Sequence, residues 1–328
     1  MIFKCKNCGG NVIYSPSKMA MFCPYCDSLG SEEKQQASQG TAVCANCGGQ
    51  LQISDYTSAS QCPYCNNYII FDERVEGEYT PHLILPFKLD KETVKKKLRE
   101  KFKSSVFAPS DFFSDAKLDS MEGMYVPFWL YDYQVQGHYD GECTKVRTWV
   151  SGNRQYTETS VYHVVREMEA AFDKVPVDAS DAMPDSTMDL MEPYNYKALE
   201  DFHAEYMSGF FAERYNQGAD AMEYRAQSKT VKDAGDMLHG SITGYGSRKA
   251  ARDGVDVQRK NASYALMPVW IYNYKYKDQD FRFHVNGQTG KIVGKLPILP
   301  SKVWGYGATV FGGILMIMLM LRQLLSLI

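Results

Sequence analysis

The sequence predicts three kinds of part: two small tandem zinc ribbons, a duplicated α+β core with antiparallel strands, and a C-terminal transmembrane helix. Three observations carry this. Eight of the nine cysteines fall in the first 65 residues, in two copies of one spacing. A ten-residue aromatic motif occurs twice, 141 residues apart. The stretch Val303–Leu321 holds no charged side chain. The expected divisions are 1–36 and 37–78 for the ribbons, 79–300 for the core and 301–328 for the anchor.

Composition sets the outer limits. With 328 residues, 45% hydrophobic and 23% charged, the chain is neither disordered nor a multi-span transporter. The formal charge is −3, not the strongly basic balance of a dedicated nucleic-acid binder. The 23 tyrosines and 16 phenylalanines suit strands better than helical repeats.

The first ribbon reads Cys5-Lys-Asn-Cys8-Gly-Gly, then Cys23-Pro-Tyr-Cys26. The second reads Cys44-Ala-Asn-Cys47-Gly-Gly, then Cys62-Pro-Tyr-Cys65. Both are C-x2-C-x14-C-x2-C. Each C-x2-C turn supplies two thiolates, and the insert lets a hairpin bring two turns together around a tetrahedral ion. Gly9-Gly10 and Gly48-Gly49 stand where the chain must turn sharply. The expectation is two structural Zn²⁺, one on Cys5, Cys8, Cys23 and Cys26, the other on Cys44, Cys47, Cys62 and Cys65. Disulfides would need an oxidising compartment, and MIFKCKNC has no apolar leader. An iron–sulfur cluster is the remaining alternative for four cysteines. The polar stretch Ser31–Gly40 reads as a flexible linker.

Charge argues about what the ribbons meet. Residues 1–80 carry Lys4, Lys6, Lys18, Lys34 and Arg74 against Asp27, Glu32, Glu33, Asp55, Asp72, Glu73, Glu76 and Glu78, a net of −3. Two Zn²⁺ on eight thiolates take this to about −7, which repels phosphate and favours a protein partner.

In the core, Met124–Tyr133 (MYVPFWLYDY) resembles Ala265–Tyr274 (ALMPVWIYNY). Period-2 alternation puts Pro127, Trp129, Tyr131 and Tyr133 on one face, and Pro268, Trp270, Tyr272 and Tyr274 on one face of the second copy. Phe281–Val285 is a strand that turns at Asn286–Gly287, and Lys291–Val293 returns. Asp90 caps a helix carrying Val94, Leu98 and Phe102 on one side. Its other side, Lys91 to Lys103, is basic: a solvated face, or a surface for anionic lipid or phosphate. Further helices are expected over Tyr196–Asn216 and Ala219–Leu238, with an irregular connection over Lys174–Pro193.

Enzyme signatures fail. Gly287-Gln-Thr-Gly290-Lys291 has Val285 and Ile292 where a phosphate loop needs glycine and Ser or Thr. His82, His138, His163, His203, His239 and His284 are scattered, and Cys143 reads as an inert thiol. No catalytic role is expected of any residue.

Val303–Leu321, 19 residues long, reaches about 28 Å as a helix, close to a bilayer's apolar thickness. A core helix is the alternative. Lys291, Lys295 and Lys302 precede it and only Arg322 follows, which places the N-terminal bulk in the cytoplasm. The expectation is a single-pass tail anchor in the cytoplasmic membrane, with Leu324–Ile328 entering the bilayer if Arg322 snorkels. Gly305, Thr309 and Gly313 form a small-residue face suited to helix pairing and oligomerisation.

Tandem C-x2-C ribbons, the Tyr-x-Pro-x-Trp motif and Val285–Gly294 (VNGQTGKIVG) resemble a bacterial family of TFIIB-type zinc-ribbon-containing membrane proteins, the YdjG type. The resemblance covers nearly the whole chain. It implies an adaptor that works beside phage-shock-protein-A-like scaffolds and SPFH-domain proteins in envelope stress, not an enzyme. The competing expectations are a transcription- or replication-associated nucleic-acid factor, and an enzyme or sensor using the aromatic core.

Overall fold

The computed structural model describes residues 1–34 and 43–325. The first ribbon consists of β1 (Ile2–Lys4), the hairpin β2 (Ile13–Ser15) and β3 (Ala20–Phe22), and β4 (Glu32–Lys34), which returns antiparallel on β1. Part of the expected linker is therefore a strand. The rest of it, with the 36/37 boundary, lies outside the described residues. The second ribbon's hairpin is β5 (Thr57–Gln61) and β6 (Tyr68–Ile70).

The core follows as β7 (Leu83–Ile84), α1 (Lys91–Lys101), α2 (Asp115–Leu118), β8 (Glu122–Ser151), β9 (Arg154–Asp178), α3 (Asp185–Met191), β10 (Glu200–Asp201), β11 (Phe211–Glu213), α4 (Ala219–Gly240), β12 (Ser247–Tyr276), β13 (Gln279–Asn286) and β14 (Ile292–Val293). The chain ends in α5 (Pro300–Leu325). One mixed sheet runs β10-β7-β12-β8-β11-β5-β6, with β9 beside β8 and β13 beside β12.

The two aromatic motifs occupy its centre. They pair antiparallel with Val126 opposite Met267, which are equivalent positions of the two copies. The surroundings repeat as well. Each long strand has a short parallel neighbour, β11 starting beside Met124 and β7 beside the equivalent Ala265. Trp129 Nε1–H donates to Gln217 O at 2.8 Å, and Trp270 Nε1–H to Leu89 O at 3.0 Å. Trp129 packs on Tyr215 and Trp270 on Phe87, with centroids 5.1 and 5.2 Å apart. Both sheet faces are buried here. Tyr125, Trp129, Tyr131, Trp270 and Tyr272 share the larger cluster with Val94 and Leu98 of α1 and Met222 and Ala226 of α4. Val126, Phe128, Leu130 and Met267 pack on the other side against Met188 and Met191 of α3.

Past the motif, β8, β9 and β12 continue as an arm. Its last stretch, beyond the Thr144–Ser247 pair, is the β8–β9 hairpin alone. At about 3.3 Å per residue, the tip near Ser151 stands about 60 Å from Asp132. The C-terminal end of α4 covers one face of the arm's root, with Leu238 and Ile242 against Tyr139, Cys143 and Val164.

Three expectations need correction. The Tyr196–Asn216 segment is not a helix. It holds two 3₁₀ turns and the strands β10 and β11, because its backbone groups are taken by β7, β8 and β5. Its helix-spaced aromatics are core contacts of an irregular path. The Lys174–Pro193 connection is ordered at both ends, as the close of β9 and as α3. The basic side of α1 is solvated only in part. Lys95 is 4% exposed and ion-paired with Glu92 and Asp119, Lys91 Nζ donates to Asp119 O, Arg99 meets Asp115, and Lys101 Nζ donates to Ile292 O. Lys96, Lys101 and Lys103 remain exposed. The Asp90 cap stands, its carboxylate accepting from Thr93 N–H at 2.8 Å.

Candidate metal centres

Each cluster is built from two copies of one turn. In all four, the first cysteine's carbonyl accepts from the residue four on: Gly9, Asp27, Gly48 and Asn66, at 2.8–3.0 Å. Its own N–H donates to the carbonyl of the residue after that: Gly10, Ser28, Gly49 and Asn67. The residue four on takes a left-handed backbone in every case, with φ of 70°, 59°, 73° and 56°. Only Gly, Asn and Asp adopt this conformation at small cost. The glycines mark the turn plainly in the sequence, and Asp27 and Asn66 are the same signal in other residues.

The four sulfurs of each cluster lie within 4.8 Å of one another. Cys5 and Cys26 Sγ are 3.6 Å apart, Cys8 and Cys23 3.5 Å, Cys44 and Cys65 3.6 Å, and Cys47 and Cys62 3.7 Å. A disulfide would need about 2.05 Å. A tetrahedron with metal–sulfur bonds of about 2.3 Å has edges of about 3.8 Å. All eight predicted ligands are therefore brought together, in the two predicted groups.

Electrostatics favours a cation. The Ser28 hydroxyl, 3.0 Å from Cys5 Sγ, and then the Cys8 N–H bring Cys5 down to about 6. Burial pushes Cys65 up, but the Asn46 side chain and Asn67 N–H outweigh it and bring it to about 6. Burial holds Cys44 up at about 12. The Gly10 N–H lowers Cys8, but its neighbours Cys26 and Cys23 keep it at about 12. Four thiolates this close cannot all ionise alone, and a divalent ion removes the conflict. Filled by four cysteines, each site would leave no position for water. Ser28 and Asn46 tune the sulfurs, and their spacing to the cysteines gave no sequence signal.

The clusters are not isolated knobs. Ala59 opposite Ala212 and Thr57 opposite Glu213 form the β5–β11 pairing that makes the second ribbon part of the core sheet. The first ribbon is held by Tyr14 N–H to Ser208 O and by the Ser208 hydroxyl to Val12 O, at 2.8 and 2.7 Å. Lys4 Nζ of the first ribbon donates to Asn46 Oδ1 of the second at 2.6 Å. Beside each metal site stands an exposed tyrosine, Tyr25 at 71% and Tyr64 at 70%. Each ring lies over a glycine, where a Cβ would come within 2.7 Å (Gly10) and 2.5 Å (Gly49) of it. In the acidic tract, Asp72 pairs with the Met1 ammonium at 2.7 Å, while Glu73, Glu76 and Glu78 are exposed.

The remaining candidates stay apart. His82 Nδ1 accepts from Tyr264 N–H; His138, His163 and His239 each face a carboxylate; burial takes His284 down to about 4. Cys143 is buried against the Tyr139 hydroxyl. At the C-terminus, Pro300–Gln323 is one helix of mean hydropathy 1.7, long and apolar enough to cross a membrane and with none of its most apolar window buried. Gly305, Gly312 and Gly313 have open space beside them, and Thr309 Oγ1 donates back to Gly305 O. The side chains beyond Gln323 lie outside the described residues, and with them the expected entry of Leu324–Ile328.

A protein of Bacillus subtilis (strain 168), named Uncharacterized protein YdjG, is 36% identical over 321 residues, covering 95% of this chain and 94% of its own length. No protein-family profile matches the chain, and no solved structure does.

Proposed function

The chain belongs to the YdjG family, and from that premise we propose that it is a membrane-anchored cytoplasmic adaptor. Its two ribbons hold structural zinc and present a protein-binding surface, and α5 fixes that surface to the cytoplasmic membrane. The single observation behind this is the pairing of two all-cysteine sites, each displaying an exposed tyrosine, with an exposed apolar helix at the other end of the chain. Such sites offer a reaction no open coordination position. They offer a partner a rigid, acidic, aromatic-tipped surface, and tyrosine in that setting is a common binding anchor.

The nucleic-acid reading draws less support. The basic helix ties Lys91, Lys95, Arg99 and Lys101 to carboxylates and backbone carbonyls of the core, and the ribbons are acidic. The partner class follows from the family resemblance alone: a phage-shock-protein-A-like or SPFH-domain scaffold in envelope stress. Gly305, Thr309 and Gly313 would let two anchors pair.

The test is affinity capture from detergent-solubilised membranes with the full chain and with Tyr25→Ala plus Tyr64→Ala. Capture of a defined scaffold that is lost in the double variant, with zinc content unchanged, supports the proposal. Undiminished capture moves the recruiting surface elsewhere. Salt-dependent DNA binding in the micromolar range would return the protein to the nucleic-acid class.

A further inference from the structure

We propose that the loop Ser104–Pro109 lies in the membrane interface beside the anchor, as a second, monotopic contact of this protein with phospholipid. The inference rests on the reading of α5 as a membrane span. It adds a surface of the core that neither the span nor the ribbons supply.

The geometry begins where α5 leaves the core. Leu299 N–H donates to Phe107 O at 2.9 Å, and Lys302 Nζ donates to Ala108 O at 2.7 Å. Further along the helix, the Tyr306 ring meets the Phe107 ring edge-on, with centroids 5.6 Å apart. Tyr306 lies three residues past Val303, the first residue of the uncharged stretch, so about 4–5 Å along the helix axis. Trp304 and Tyr306, 81% and 59% exposed, form the aromatic pair expected at the headgroup level. A ring held against Tyr306 shares its depth. If the span begins at Val303, Phe107 sits just under the headgroups.

The loop is suited to that place. Its sequence, Ser-Ser-Val-Phe-Ala-Pro, has no charge, and no acidic residue follows Asp280 in the chain. Val106 is 61% exposed, and Ile298, next to the helix base, is 64% exposed. Exposed Lys103 and Lys302 flank the loop, as cations that meet phosphate headgroups do. The backbone is largely satisfied: Val106 N–H and Ala108 N–H bond to Ser104 O and Ser105 O, and the Phe107 and Ala108 carbonyls accept from Leu299 N–H and from Lys302 of α5. Satisfied backbone is the condition for irregular chain near lipid.

The loop is also tied to the core. Phe112 packs on Tyr272, Tyr274 and Phe283, and the Tyr272 hydroxyl donates to Phe112 O at 2.8 Å. Tyr272–Tyr276 extend past the first residue of β8, at the end of the sheet away from the arm's tip. Lodging the loop in the interface therefore sets the core on the bilayer with its arm leading away.

The test uses the full chain, zinc-loaded, in vesicles of phosphatidylcholine with a minority of phosphatidylglycerol. A polarity-sensitive fluorophore is placed by Val106→Cys, and separately by Val310→Cys in the span and Asn153→Cys at the arm's tip. Unsubstituted protein gives the labelling background. Nitroxide lipids quench from a shallow or a deep position. The expected result is strong loss of the Val106 emission to the shallow nitroxide, loss of the Val310 emission to the deep one, and neither for Asn153. An unquenched Val106 label beside a quenched Val310 label overturns the loop contact and leaves the anchor standing. A blue-shifted but unquenched Val106 label means that a protein surface covers the loop, and also overturns it. If the Val310 label is unquenched too, the anchor fails and the loop contact with it.

Discussion

Replacing Arg225 by Met should destabilise the core strongly at pH 8 and only slightly at pH 5. Arg225 Nη1 lies 3.0 Å from Asp178 and 3.1 Å from Asp185, and Nη2 lies 3.4 Å from Asp189. The Asp178 side chain is 1% exposed, and its desolvation outweighs Arg225 and lifts the carboxyl to about 6. In the unfolded chain it ionises near 3.9. The folded state therefore keeps a proton that the unfolded state releases, and this group's contribution to stability falls as pH rises from about 4 to about 6, by roughly 3 kcal/mol. Removing the guanidinium removes what lowers the carboxyl, so its value rises further. At pH 8 the variant must hold an unpaired buried carboxylate or pay to keep its proton. Breaking such a pair costs about 3–5 kcal/mol. At pH 5 the carboxyl is already mostly neutral, and the loss shrinks to about 1 kcal/mol, the worth of an ordinary hydrogen bond. Urea unfolding in mild detergent, followed by tryptophan fluorescence, compares the two chains at each pH, so that acid loss of metal affects both alike. A loss equal at both pH values, or below about 1 kcal/mol at pH 8, would refute the assignment of Asp178 as a buried, Arg225-compensated acid.

Elemental analysis of purified protein should give two Zn per chain, since eight cysteines form two four-sulfur groups; one metal, or an iron–sulfur absorption band, would contradict this. Cys44→Ser should unfold the second ribbon and, by removing the partner of Ala212 in β11, raise amide exchange in β11 while α5 still pellets with membranes; unchanged exchange there would show that the ribbon is not part of the sheet's stability. Deleting Val303 onward should move the chain to the soluble fraction after a carbonate wash. Gly305→Leu with Gly313→Leu should weaken self-association without blocking insertion, and an unchanged oligomer would remove that face from consideration.

What was legible in the sequence is what local chemistry dictates. The cysteine spacing names all eight ligands because each turn closes within six residues. The Asp90 cap and the Val94–Leu98 spacing locate α1 for the same reason. The core was legible only in part, because strand partners are chosen far along the chain. The motif repeat is plain in the sequence, yet nothing local says that Val126 faces Met267, or that β7 and β11 each lie against the more distant copy. Tyr196–Asn216 shows the reverse error: a helical spacing of aromatics was met by a chain whose hydrogen bonds went to the sheet instead. In the sheet, a Cβ at Gly141 would lie 2.5 Å from Lys249 O, so the glycine is what lets β8 and β12 stay together.

A binding surface gains affinity when it is held still, because ordering two bodies at the moment of binding costs free energy. Here the second ribbon is continuous, through β5, β11, β8 and β12, with the strand on which Phe112 rests. The loop before Phe112 grips the first turns of α5. No free linker separates the second metal site from the helix base among the described residues. The same connections explain why metal and fold are one problem in this chain. Zinc ribbons that hang on tethers lose only themselves when the metal leaves. A ribbon that supplies a sheet strand also exposes β11, whose Ala212 is buried between Ala59 and Tyr125. Metal content would then set the position of the exposed tyrosines and the integrity of the core beneath them together.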